Sequence, residues 1–246
     1  MTKDNIIEII DKFANNDVIF SNEQDFQFEL ANELLKLDEV EKIKIEPLSF
    51  SQTWEKIECI AKNKEKLPRD KKQYTDILVK DKKSGYIAIE LKYATPYKIC
   101  LYETKNGKIV TMAQGAYDIR SYEFIKDINR LENINNRNFF PSIKINKSYA
   151  IMLTNDFNYR YNTFNKSKIW QKYSLAVGKL KKGKLTFKEN ETEYKTKNHT
   201  YEAITLKNDY ELQWYDYKLE NYQDYQNREN SYCPGFSYLI VEIDNN

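Results

Sequence analysis

A chain of 246 residues with 41% hydrophobic and 14% aromatic residues can build a sizeable core, which excludes wholesale disorder. Lys and Arg total 39 against 37 Asp and Glu, a net charge of +2, so any basic surface is local rather than global. Three widely spaced cysteines (Cys59, Cys100, Cys233) form neither a zinc spacing nor a disulfide set and suit a reducing cytoplasm. No run approaches the roughly 18 apolar residues of a membrane helix, and the acids within MTKDNIIEIIDKF do not suit a signal peptide.

In chain order, Ile6, Ile7, Ile10 and Phe13 recur at helical spacing and predict a helix over about 4–14. Ser21 with Gln24 resembles a capping box and opens a second helix to about Lys36. Its buried stripe is Phe26, Leu30, Leu34 and Leu37, with Glu29 near the edge of that stripe. KIKIEPLSF (42–50) reads as a strand ending at Pro47. The stretch from Ser51 to Lys72 reads as a basic loop, with a short helix around Trp54 to Ala61. YTDILVKDKKSGYIAIELKY (74–93) is two alternating apolar runs about a turn at Lys82 to Gly85, a β-hairpin. A second, polar hairpin follows around Lys105-Asn106-Gly107. Residues from about Thr111 to Glu132 read as a helix burying Tyr117, Phe124, Ile128 and Leu131. SYAIMLTND (148–156) is a strand and turn, and the rest is β-rich, with YSLAVGKLKKGKLTF as a hairpin and YEAITL, YELQWYDY and FSYLIVEI as strands. No internal repeat or Gly/Ser/Pro-rich linker divides the chain, so one domain is expected over 1–246, with a core at about 21–156 and a β-rich elaboration at about 157–246.

The 74–93 hairpin carries charges between apolar neighbours. Glu90 and Lys92 are two apart and share a strand face, and pairing about the turn brings Asp76 near them. Two such carboxylates repel unless protonated or bridged by a cation. Mg²⁺, with its preference for hard oxygen ligands, resolves the conflict. It also polarises a phosphate oxygen, while a neighbouring lysine stabilises developing negative charge. These are the parts of phosphodiester hydrolysis. The same residues also suit an ordinary cross-strand ion pair on a wetted sheet face.

D76-(x13)-E90-L91-K92 across a hairpin resembles the signature of the PD-(D/E)xK nuclease superfamily, whose αβββαβ core order matches the order read over residues 21–156. AIELKYAT (88–95), DIRSYEFIKDINRLE (118–132) and AIMLTND (150–156) are similar to uncharacterised bacterial members, over about the first two thirds of the chain. The resemblance implies an α/β (α+β) restriction-endonuclease-like fold, a central mixed sheet flanked by helices. It implies Asp76, Glu90 and the Leu91 carbonyl as metal ligands, Lys92 as partner of the attacking water, and Glu29 as the first-helix glutamate. Mg²⁺, with Mn²⁺ as a substitute, is the expected cofactor. Thr75 stands where the family name has proline, and Arg120-Ser121-Tyr122-Glu123-Phe124 replaces the relatives' GRYDF.

The expected function is therefore a metal-dependent nuclease acting on DNA in preference to RNA; a homodimer is among the expectations, since double-strand cutting by such sites often uses two subunits. The alternative is a non-catalytic nucleic-acid-binding or regulatory module retaining the fold. Gln114 and Arg120 could hold the scissile phosphate, and Arg69, Lys71 and Lys72 in the basic loop could hold the backbone. Asp127 and Arg130 read as a structural i,i+3 pair on a solvated face. Gly178 to Leu185 fits GxxxxGK only superficially, because Leu185 stands where Ser or Thr is needed. His199, the single histidine, reads as a surface loop residue, and Trp214, Tyr215 and Tyr217 as aromatic packing.

Overall fold

The structure is a computed structural model that describes residues 1–50, 62, 72–97, 99–136, 138–139, 143–161, 171–187, 191–219 and 235–245. Two helices, α1 (Lys3–Asn15) and α2 (Glu23–Leu34), precede strand β1 (Val40–Ile45). The α2 cap is Asn22, whose side chain accepts from the Asp25 N–H, whereas Ser21 donates to the Asp25 carboxylate; the Ser21–Gln24 box does not form. Strand β1 ends where Glu46 turns into the left-handed region at φ 47°. Leu48–Phe50 then leaves for a small sheet with Lys72–Tyr74 and Asn138–Phe139.

Strands β2 (Ile77–Asp81) and β3 (Gly85–Ala94) form the expected hairpin, with Asp81 paired to Gly85 and the Asp81 carboxylate accepting from the turn amides of Lys83 and Ser84. The polar hairpin about Lys105-Asn106 also forms, from Cys100–Thr104 and Gly107–Thr111. Thr111 therefore belongs to a strand. Gly115 and Ala116, both at positive φ, delay helix α3 to Tyr117–Glu132. Strand β4 (Ile145–Thr154) returns parallel to β3.

The last third of the chain is more than an appendage. Strands β5 (Trp214–Tyr217) and β6 (Phe236–Asp244) complete a six-stranded mixed sheet in the order β1-β2-β3-β4-β6-β5, with β6 antiparallel to β4 over eight residue pairs. The 178–185 stretch is not a hairpin: Gly178–Leu180 pairs with Tyr210–Leu212, and Gly183–Leu185 with Ile204–Leu206. Its Lys181-Lys182 step carries no tight turn of its own. The Lys182 amide instead donates to Asp209 on the returning segment, at 2.7 Å.

Strands β3 and β4 are buried on both faces, which is why their sequences read as near-continuous apolar runs. One face, with Ile77, Ile89, Leu91 and Tyr93, packs under α1 and α2. The other, with Ala88, Ala94, Ala150 and Met152, packs under α3. The 204–210 segment is fastened to the outside of α3. The Glu132 carboxylate accepts from the Lys207 and Asn208 amides and the Tyr210 hydroxyl, and Asn129 donates to the Thr205 carbonyl. Asp127, expected on a solvated face of this helix, is buried, as is Tyr122. Among the described residues, no helix is long and apolar enough to cross a membrane.

Candidate functional site

Strand β2 begins at Ile77, so beyond its pair with Ile89 the edge of β3 has lost its neighbour. Unpaired edge amides need acceptors. Two carboxylates supply them: Asp76 Oδ2 accepts from the Leu91 N–H at 2.6 Å, and Glu23 Oε2, from the first residue of α2, accepts from the Tyr93 N–H at 2.8 Å. Asp76 itself is fixed through its carbonyl, which accepts from Gln27 Nε2 at 2.7 Å and the Glu46 N–H at 2.9 Å. Gln27 lies one turn after Glu23 and is buried, so one face of α2 serves both contacts.

Glu90 and Lys92 lie on the sheet face covered by α3. Glu90, 1% exposed, meets Arg130 Nη2 at 2.5 Å. The same Nη2 lies 2.9 Å from Asp127 Oδ1. Lys92 Nζ stands 3.8 Å from Asp127 Oδ2 and 3.8 Å from Glu23 Oε2. Four carboxylates (Glu23, Asp76, Glu90, Asp127) and two cations (Lys92, Arg130) thus share one end of the sheet.

The electrostatics follow from burial and this charge excess. Burial pushes the Asp76 carboxyl up to about 6, and repulsion from Glu23 and Asp127 adds to the rise; the Leu91 hydrogen bond and Lys92 oppose it. Burial works against the Lys92 ammonium, but Asp127, Glu23, Glu123 and Asp76 outweigh it and hold the pKa above the ordinary lysine value. Lys92 is therefore charged at neutral pH.

The structure brings Asp76, Glu90 and Lys92 together with the Leu91 backbone, here through its N–H. It does not bring Glu29 to them: Glu29 is exposed, and the acid that α2 contributes is Glu23. The helical reason is plain, since Glu23 and Gln27 share the inward face while Glu29 sits two residues further round. Gln114 is exposed in the loop before α3, and Arg120 pairs with Glu123 at 3.3 Å; neither contacts the cluster. Arg69 and Lys71 lie outside the described residues, as does the helix expected at Trp54 to Ala61. Lys72 is placed by its backbone alone, paired with Phe50. Asp127 and Arg130 do form the expected i,i+3 pair, but toward the sheet rather than solvent. The spacing Phe124, Asp127, Ile128, Leu131 is itself a buried helical stripe and carries that information. His199 is exposed, and Trp214 is buried with its indole N–H on the Leu175 carbonyl at 2.8 Å.

Substitution separates the two helix acids. Glu23→Ala leaves the Tyr93 amide without its acceptor and is expected to cost about 1–2 kcal/mol, whereas Glu29→Ala should stay within about 0.5 kcal/mol of the parent. Urea denaturation midpoints of the two variants check this, and equal midpoints would contradict the placement of Glu23.

Among the described residues, no three Asp, Glu, His or Cys side chains stand together as a ready metal cage. The donor set nonetheless fits a hard divalent ion, which needs only one or two carboxylates beside its waters. Asp76 and Glu90 can supply these, since the Asp76 carboxylate is held on the backbone of Leu91, the residue next to Glu90. No protein-family model, curated protein or solved structure matches the chain.

Proposed function

We propose that this chain is a metal-dependent nuclease of restriction-endonuclease-like fold, hydrolysing phosphodiester bonds of nucleic acid, DNA in preference to RNA. The observation that carries the reading is the meeting of Asp76, Glu90 and Lys92 at one unpaired strand end, with the Asp76 carboxyl pushed up to about 6 first by burial and then by the neighbouring carboxylates. The helix, three antiparallel strands, helix and parallel strand of residues 23–154 support it as the scaffold.

Asp76 and Glu90 would hold Mg²⁺ or Mn²⁺, which supplies Lewis acidity toward a phosphate oxygen when bound. Lys92 remains charged between Glu23 and Asp127 and stabilises negative charge building on the attacked phosphate or the incoming hydroxide. Glu23 orients Lys92 and fixes the strand edge. The six basic residues among Lys62 to Lys72, directly before Asp76 in sequence, supply local positive charge for a phosphate backbone. Action in the cytoplasm suits the cysteine usage, and cutting both strands of a duplex would take two copies.

A second reading has its own observation. Glu90 is already neutralised by Arg130, as expected of a site closed by protein charges in a non-catalytic nucleic-acid-binding module.

Supercoiled plasmid, single-stranded DNA and RNA incubated with Mg²⁺ or Mn²⁺ separate the readings, with Asp76→Asn as control. That variant retains an oxygen for the Leu91 amide and is expected to keep the fold, which an unfolding curve checks. The nuclease reading expects metal-dependent cleavage by the parent only. Equal cleavage by both, or none of any substrate, overturns it.

A further inference from the structure

The cation on Glu90 is held in an unusual way. Arginine grips a carboxylate best through two parallel N–H bonds. Here a single nitrogen, Nη2, serves both Glu90 and Asp127, at 2.5 and 2.9 Å. Arg130 Nε is buried with no hydrogen-bond partner among the described residues. The side chain is 30% exposed and springs from the last turn of α3, so it has a path to solvent. Glu90, by contrast, is almost wholly enclosed and cannot remain ionised there without a cation close by.

We infer that Arg130 is a placeholder cation, which neutralises Glu90 in the metal-free protein and is exchanged for the divalent ion when the site is loaded. This rests on the nuclease reading, which supplies the ion. Asp127 is the tether. Its second oxygen faces Lys92 at 3.8 Å, so it keeps a cationic partner when the guanidinium leaves Glu90, and its place one turn before Arg130 keeps the released fork beside the site. The released guanidinium suits a phosphate oxygen, to which it offers a planar pair of donors. The exchange explains how a carboxylate suited to a hard ion stays ionised while enclosed: it is occupied by a competitor from the same chain. A competitor of this kind lowers the apparent metal affinity by the fraction of molecules it leaves open.

The test is metal binding, not turnover. Mn²⁺ is titrated calorimetrically into the parent and into Arg130→Gln, which retains an amide donor for Glu90. The variant is expected to bind Mn²⁺ at least about tenfold more tightly and to show the larger Mn²⁺-induced rise in melting temperature. Equal or weaker binding by a folded variant overturns the inference and leaves the nuclease reading standing, whereas failure of both proteins to bind overturns both. A measurement on the parent alone guards against a variant that does not fold. Saturating Mg²⁺ should speed solvent exchange of the Arg130 guanidinium protons, followed by nitrogen-15 NMR, and unchanged exchange with Mg²⁺ bound would overturn the exchange of partners.

Discussion

Asp76→Asn is expected to stabilise the protein by about 3 kcal/mol at pH 8 while abolishing metal-dependent cleavage. A carboxyl raised from 3.8 to about 6 is a group whose ionised form the fold disfavours; the difference, at 1.36 kcal/mol per pH unit, gives that magnitude. The sign is fixed by which state binds the proton more tightly. The folded protein does, so ionised Asp76 destabilises it fully above about pH 6, less as pH falls through that value, and not at all below the unfolded value of 3.8. The advantage of the Asn variant should therefore be complete at pH 8 and absent near pH 3.5. Asparagine retains an oxygen for the Leu91 amide, so the strand-edge contact survives. Urea unfolding of both proteins at the two pH values checks this, and an Asn variant less stable than its parent at pH 8 would contradict it. Mg²⁺ should recover part of the same stability in the parent and little in the variant, because the ion acts on the charge that the substitution removes.

Lys92→Met should do the opposite. Lys92 faces Glu23 and Asp127 at 3.8 Å each and lowers the cost of ionised Asp76, so its removal leaves carboxylates crowded at a buried strand end. Asp127 keeps Arg130 and Glu23 keeps the Tyr93 amide, so the loss should be about 1–3 kcal/mol, and cleavage should fall about 10²- to 10³-fold with the loss of charge stabilisation at the phosphate. The two substitutions are coupled through one field. The double variant should recover part of the Lys92→Met loss, giving an interaction energy of about 1 kcal/mol or more in a double-mutant cycle. Strict additivity would mean that Asp76 and Lys92 do not sense each other.

What was legible in the sequence was periodic. Period-two alternation in 74–93 and 148–156 yields strands β2, β3 and β4, and places Glu90 and Lys92 on one face. Helical spacing in the first forty residues yields α1 and α2. What was hidden depends on partners chosen at long range. The 178–185 run has the composition of a hairpin, yet its halves bury Leu180 and Leu185 only by pairing with residues 204–212. The grip of Arg130 on Glu90 spans forty residues and follows from α3 packing over β3, which no local pattern encodes. Glu23 was within reach: it shares a helical face with Gln27, Leu30 and Leu34, and a buried glutamine in that stripe points to a polar contact beneath it. Glu29 drew attention through its spacing from Phe26, on the edge of the stripe that faces water.

The most direct measurement is a crystal structure with Mn²⁺, located by its anomalous scattering. The nuclease reading predicts a peak within coordination distance of both the Asp76 and Glu90 carboxylates, and the placeholder role of Arg130 adds a guanidinium moved off Glu90. No peak beside Asp76 and Glu90, at metal concentrations that saturate the protein in solution, would contradict the nuclease reading.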